Sequence, residues 1–260
     1  MRIARFTVAD QIAYGIVEGE GDDAAALRVT AIDGHPFAPF EQTAAVFALA
    51  DVRLLPPVLP SKVIGIGKNY ADHAQEMGGE APATPVMFLK PSTSVVGPGE
   101  TVVLPPQSLR VEHEGELAVV IGRLAREVPA DRVDDVVLGY TCADDVTARD
   151  LQGSDGQWTR AKGFDSFCPL GPWIATDVDP TGLSITTTVN GEVRQSGNTR
   201  DMVHSVRDLV VFVSSVMTLL PGDVILTGTP AGVGPLVDGD DVSITISRVG
   251  TLTHRVVGGS

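Results

Sequence analysis

Hydrophobic positions in this chain form short runs, several alternating with polar residues and broken throughout by glycine and proline. Alternation with period two is the mark of a strand with one buried face. Ile3 to Val8 and Ile12 to Val17 alternate well enough for two strands, and Leu27 to Ile32 adds a third. Thr43-Ala44-Ala45-Val46-Phe47-Ala48-Leu49 suits a short helix. Leu55-Pro56-Pro57-Val58-Leu59-Pro60 then reads as a stiff linker, since proline fixes φ and removes donors. A small α+β N-terminal domain over residues 1–55, a proline-rich linker at 56–60 and a larger domain over 61–260 are expected.

Beyond the linker, strands are expected at Lys62 to Ile66, Val86 to Leu89, Thr101 to Leu104, Leu117 to Ile121 and Leu138 to Ala143. Further strands fit Trp173 to Ala175, Ile185 to Asn190, Asp223 to Thr227 and Val242 to Ile246. Asn190-Gly191 signals a hairpin, because both central positions of a type I′ turn need φ > 0. Asn69 to Met77 suits a helical turn or two, with Asn69 as cap and Asp72 at N3. Ser205 to Leu220 carries a helical apolar pattern at Val206, Leu209, Val210, Val213 and Met217. Many strands with few intervening helices disfavour a doubly wound sheet. They favour a mostly β fold, a mixed β-sandwich roll or barrel.

Composition narrows the function classes. The chain has 260 residues and can bury a sizeable core. Its net charge of −14 opposes binding to nucleic acid phosphates or anionic membranes, and 5% aromatics is poor for base stacking. A dianionic substrate would need a local positive patch to offset that charge. The longest apolar run, Leu209 to Leu220, is too short to span a bilayer. Cys142 and Cys168 show neither metal-type spacing nor a disulfide framework. With no signal core at the N-terminus, a cytoplasmic protein with no nucleic acid or membrane partner is expected.

Several residue groups suggest chemistry. Glu114-Gly115-Glu116 precedes an apolar strand, so both carboxylates fall on the same side of it. Beside an acid from the Asp144-Asp145 run they form a hard oxygen site for Mg²⁺ or Mn²⁺; alone, the pair also suits a solvated acidic edge. His73 and Glu76 are three residues apart on one helical face, a workable general base for water or an ordinary surface pair. Met77 to Pro85 is a small-residue segment suited to a lid or a surface loop. Lys162 lies among mostly uncharged residues and can stabilise an oxyanion or pair with Asp165. Thr227-Gly228-Thr229-Pro230-Ala231-Gly232-Val233-Gly234 can cradle a carboxylate or form a plain tight turn. Gly65-Ile66-Gly67 follows a strand, but Tyr70 replaces the third glycine of a dinucleotide fingerprint.

In order, the chain carries Asn69-Tyr70-Ala71-Asp72-His73, Phe88-Leu89-Lys90-Pro91-Ser92, Glu114-Gly115-Glu116-Leu117-Ala118, Asp145-Val146-Thr147-Ala148-Arg149-Asp150, Ala161-Lys162-Gly163-Phe164-Asp165 and Thr227-Gly228-Thr229-Pro230. From about residue 60 onward this resembles the fumarylacetoacetate hydrolase superfamily, with residues 1 to 55 similar to the N-terminal domain of many bacterial members. The resemblance implies a mixed β-roll with a divalent metal at Glu114, Glu116 and Asp145. That metal is Mg²⁺ or Mn²⁺, with Ca²⁺ as a substitute. It implies catalytic roles for His73, Glu76 and Lys162, and substrate contacts at Gln152 and Thr229. For Arg149 it implies either a structural ion pair or a ligand contact. Lys62 to Lys68 contains no acid, whereas the larger eukaryotic namesake has a fourth carboxylate ligand there. The chain therefore sits with the three-carboxylate members, which disfavours fumarylacetoacetate itself.

The implied partners are a small 2-oxo acid substrate and, from family habit, a second copy in a homodimer. The implied chemistry is a metal-stabilised enolate leading to C–C hydrolysis of an acylpyruvate or fumarylpyruvate. The same electron sink serves isomerisation of a 2-hydroxyhepta-2,4-diene-1,7-dioate or 5-carboxymethyl-2-hydroxymuconate type substrate, or decarboxylation of oxaloacetate. A non-catalytic metal-binding or acid-binding scaffold would need the carboxylate trio but not His73, Glu76 and Lys162.

Overall fold

The computed structural model describes residues 1–21 and 23–259. Strands dominate it, and helices are few and short. The largest sheet has twelve strands, and its centre is the hairpin of Gly115–Ile121 with Val137–Asp144. Gly115–Ile121 pairs on its other side with Val224–Leu226, which lies parallel to Val63–Gly67. Val86–Lys90 closes that edge. Towards the other edge, Val137–Asp144 pairs with Cys168–Ala175, and that strand pairs with Arg2–Val8. The first 55 residues therefore extend the same sheet through Gln11–Glu18, Arg28–Asp33 and Glu41–Ala48.

A second sheet of five strands runs in the order Glu192–Asn198, Ser184–Val189, Asp241–Ile246, Gly250–Gly258 and Thr101–Leu104. Alternation along Gly115–Ile121 distributes its side chains between two cores. Leu117, Val119 and Ile121 pack with Ile185, Val242, Ile244 and Leu252 and with Leu209 and Val213 of the helix Val206–Val216. Ala118 and Val120 pack with Ile3, Val63, Val224 and Leu226. Both faces of the strand are buried, which explains why its sequence is continuously apolar. Each large aliphatic side chain so buried contributes about 1.5–3 kcal/mol.

No α-helix forms over Thr43 to Leu49. Glu41–Ala48 is an edge strand, paired with Arg28–Asp33 through Phe47 opposite Val29 and Val46 opposite Thr30. Only a three-residue 3₁₀ turn, Leu49–Asp51, follows it. Asn190 and Gly191 take φ of 52° and 79° at the tip of the Ser184–Val189 and Glu192–Asn198 hairpin. The long C-terminal helix begins at a Ser205–Asp208 capping box and stops at Val216, short of the expected Leu220. Met217 is extended there, and Leu219 exchanges backbone hydrogen bonds with Ala125.

Candidate active site

Glu114 immediately precedes the strand Gly115–Ile121, Glu116 is its second residue, and Asp145 immediately follows Val137–Asp144. In that antiparallel pair Gly115 faces Asp144, and the Asp145 amide donates to the Glu114 carbonyl at 2.9 Å. Strand pairing alone thus brings the third acid to the first two. The three residues are buried, and one carboxylate oxygen from each lies within 4.8 Å of the others. Asp144 points elsewhere: its Oδ1 accepts from the Glu114 amide at 2.7 Å and its Oδ2 lies 2.8 Å from His254 Nε2.

Lys162 donates to Glu114 Oε2 at 2.7 Å and to Asp145 Oδ2 at 2.6 Å, and not to Asp165. Its ammonium also lies 5.0 Å from the Phe88 ring centroid, in cation–π range. Lys90 donates to Asp145 Oδ1 at 2.6 Å. Arg149 reaches Glu112, Glu114 and Gln152 through its three nitrogens. Among the described residues no cation pairs with Glu116, whose Oε2 accepts only the Gly228 amide, at 2.6 Å.

These contacts set the charges. Burial, with Asp145 and Glu114 adding to it, pushes the Glu116 carboxyl well above the usual carboxylate range. Burial also pushes Glu114 upward, but Lys162 and Arg149 outweigh it and hold that carboxyl below the usual range. Lys162 is depressed by burial and raised by Asp145 and Glu114, and the acids win, so it stays charged. Three converging oxygen donors, one lacking a counter-cation, fit a hard divalent ion. Glu114, Glu116 and Asp145 are the residues that would hold it.

His73 Nδ1 lies 3.1 Å from Glu76 Oε2 on the helix Ala71–Glu76. Glu76 in turn accepts from the Gly232 amide, with its oxygens at 3.1 and 3.3 Å. The glycine-rich turn is therefore a cradle for the protein's own carboxylates, Glu116 at Gly228 and Glu76 at Gly232. Gly228 has φ of 97°, and a Cβ there would stand 2.7 Å from the Asn69 Cβ. Asn69 does not cap the helix; Tyr70 is the cap residue, with no side-chain bond. The Asn69 amide instead donates to the Thr227 and His204 carbonyls at 2.7 and 3.0 Å, tying the helix entry to the turn.

A cavity of about 280 Å³ opens over this cluster. His73, Glu114, Glu116, Arg149, Gln152, Lys162 and Thr229 line it, whereas Asp145 and Glu76 stand behind the wall and bond to residues on it. Gln152 Oε1 is held by Arg149, so its NH₂ remains for the cavity. The Thr229 hydroxyl donates to the Gly115 carbonyl at 2.9 Å and accepts from Gln195 Nε2 at 2.7 Å. Gly67 serves packing: a Cβ there would lie 2.5 Å from the Trp158 ring.

Two site residues escaped the sequence reading. Lys90 ends the strand Val86–Lys90 and was read only as part of a motif; a lysine closing an apolar run before a proline was the available signal. Gln195 Oε1 accepts from the Gly115 amide at 3.0 Å, and its Nε2 donates to Thr229 and to the Pro230 carbonyl. Nothing local in the sequence marks it.

The family model described as Fumarylacetoacetate (FAA) hydrolase C-terminal matches residues 62–257, and one described as Rv2993c-like, N-terminal matches residues 1–57. The chain belongs to the fumarylacetoacetate hydrolase family. Protein Rv2993c of Mycobacterium tuberculosis is 54% identical over 260 residues, covering 99% of this chain and 98% of that protein. The human mitochondrial oxaloacetate tautomerase FAHD2A is 46% identical over 225 residues, covering 82% of this chain and 72% of that protein. Among solved structures, the 2-hydroxyhepta-2,4-diene-1,7-dioate isomerase from Mycobacterium marinum superposes with a TM-score of 0.94 at 53% identity, covering 100% and 99% of the two chains. The fumarylpyruvate hydrolase from Pseudomonas aeruginosa, in complex with Mn²⁺ and pyruvate, gives 0.73 at 33% identity, covering 80% and 92%. Membership of this family and the buried acid trio agree with the expected β-roll and a divalent-metal site.

Proposed function

We propose that this chain is a divalent-metal-dependent enzyme of small 2-oxo carboxylates that hydrolyses a C–C bond in an acylpyruvate or fumarylpyruvate type substrate. The observation that carries this reading is that His73, oriented by Glu76 behind it, lines the same cavity as Glu114 and Glu116 of the acid trio. Mg²⁺ or Mn²⁺ held by Glu114, Glu116 and Asp145 would supply Lewis acidity towards the substrate's carboxylate and 2-oxo oxygens, the electron sink that cleavage requires. Because His73 Nδ1 faces Glu76, its proton transfers occur at Nε2. It takes a proton from water there, and Glu76 stabilises the charged ring. Two of the three Lys162 donors are engaged, which leaves one for the oxyanion at the attacked C4 carbonyl. The Gln152 NH₂ positions a substrate oxygen. The complex of fumarylpyruvate hydrolase with Mn²⁺ and pyruvate, a 2-oxo acid, supports this substrate class.

Isomerisation or tautomerisation is the second reading, favoured by the isomerase and tautomerase relatives at 53% and 46% identity. In it His73 Nε2 moves a proton between substrate atoms without water. A turnover screen separates the two readings. It covers acylpyruvates, fumarylpyruvate, oxaloacetate and hydroxymuconate-type diacids with Mg²⁺ or Mn²⁺. Release of pyruvate that falls about 10²–10⁴-fold in His73→Ala is the expected result. Full hydrolysis by that variant would sink the water-activation role. Rearrangement without cleavage would establish the second reading.

A further inference from the structure

Lys68 follows the strand Val63–Gly67 and lines the cavity, together with Ile66, Met77 and Trp158. Its backbone takes φ of 58°, in the left-handed region that lysine rarely adopts. Such a conformation is strained and persists only where the surroundings hold it. Here the preceding residue is locked: Gly67 lies under the Trp158 ring, and Trp158 packs edge-on against Phe88 at 5.5 Å. The Lys68 ammonium lies beside Gly79, where a Cβ would stand 3.4 Å from it.

The other two permanently charged cations of the cavity wall are already matched, Lys162 by Glu114 and Asp145 and Arg149 by Glu112 and Glu114. Lys68 makes no ion pair and no side-chain hydrogen bond among the described residues. A partly buried lysine left unmatched on a cavity wall, in a chain of net charge −14, is suited to receive an anion. The acid trio, with a divalent ion bound, would account for the 2-oxo-carboxylate end of a substrate. Lys68 forms no ion pair with Glu114, Glu116 or Asp145, whose cation partners are Lys162, Arg149 and Lys90.

We infer that Lys68 is a specificity-determining residue that receives the distal carboxylate of a 2-oxo diacid and selects diacids over 2-oxo monoacids of the same length. This rests on the reading of the cavity as a 2-oxo-acid site. The local cation also offsets the long-range repulsion that the acidic surface imposes on a dianion.

The test compares 2-oxoglutarate with 2-oxopentanoate, which differ only in a terminal carboxylate against a methyl group. Binding is measured by calorimetry to the full chain loaded with Mg²⁺, so the readout does not depend on turnover. The wild type is expected to bind 2-oxoglutarate at least tenfold more tightly. In Lys68→Met the ratio is expected to fall towards one, and in Lys68→Arg, which keeps the charge, the preference is expected to persist. An undiminished ratio in Lys68→Met, no preference in the wild type, equal weakening of both probes, or no binding of either probe would each overturn the assignment. Failure of the underlying function reads differently: the wild type would show the diacid preference yet turn over no 2-oxo acid in the screen.

Discussion

Glu116 is the residue at which the folded chain most needs a cation, since its neighbours are acids and its bond to protein is one backbone amide. Its folded pKa is raised above the unfolded value, so above about pH 4–5 the folded state binds more protons than the unfolded state. Stability of the metal-free protein should therefore fall as pH rises from that range towards the raised value. Thermal melts in chelator across that window check the sign, and Glu116→Gln should flatten the slope. Lys90 makes the opposite case, a buried cation matched to Asp145. Lys90→Met leaves that carboxylate one partner short and should destabilise by about 3 kcal/mol, read by denaturant unfolding. The glutamate pair of the trio was legible in the sequence because strand alternation places Glu114 and Glu116 together. Asp145 was not separable from Asp144 by that logic, and only the pairing with His254 and the Glu114 amide shows why Asp144 is unavailable. Gln195 was illegible because its partners, Gly115 and Thr229, are distant in sequence.

The elements that build the site are short, so their contacts to one another hold them more than their own propensity does. The helix Ala71–Glu76 has too few residues to be stable alone. Asn69 anchors its entry by bridging the Thr227 and His204 carbonyls and by accepting from the His204 amide at 2.8 Å. Asn69→Ala leaves these groups unmatched and should cost about 1–3 kcal/mol. Faster hydrogen exchange confined to the 71–76 helix and the 227–232 turn is the expected signature. Strands with one face in a core could be read from alternation, and Gly115–Ile121, with both faces in a core, from its continuous apolar, β-branched run. Thr43 to Leu49 misled because three alanines raise helix propensity, whereas pairing with Arg28–Asp33 decides the outcome. An edge strand that is mostly exposed carries little apolar alternation to correct that reading.

Across the whole molecule, the large sheet joins the N-terminal strands to the hairpin that carries the acids, through Arg2–Val8 paired with Cys168–Ala175. Ligand binding at the trio therefore acts on the stability of the molecule and not only on local order. An ion that binds the folded state alone stabilises by about 2.7 kcal/mol at a hundredfold excess over its Kd. For a chain of this size the melting temperature should rise by roughly 5–10 °C in Mn²⁺ or Mg²⁺, and the rise should vanish in Glu116→Gln. No helix of the described residues is long and apolar enough to cross a membrane. The proposed 2-oxo-acid chemistry depends on a divalent ion at the buried trio. Its most direct test is turnover of whichever 2-oxo acid responds in the screen, measured in Mn²⁺, then in excess chelator, then after Mn²⁺ is restored. Loss in chelator, recovery on restoration and inactivity of Glu116→Gln throughout is the expected result; turnover unchanged by chelator would contradict it.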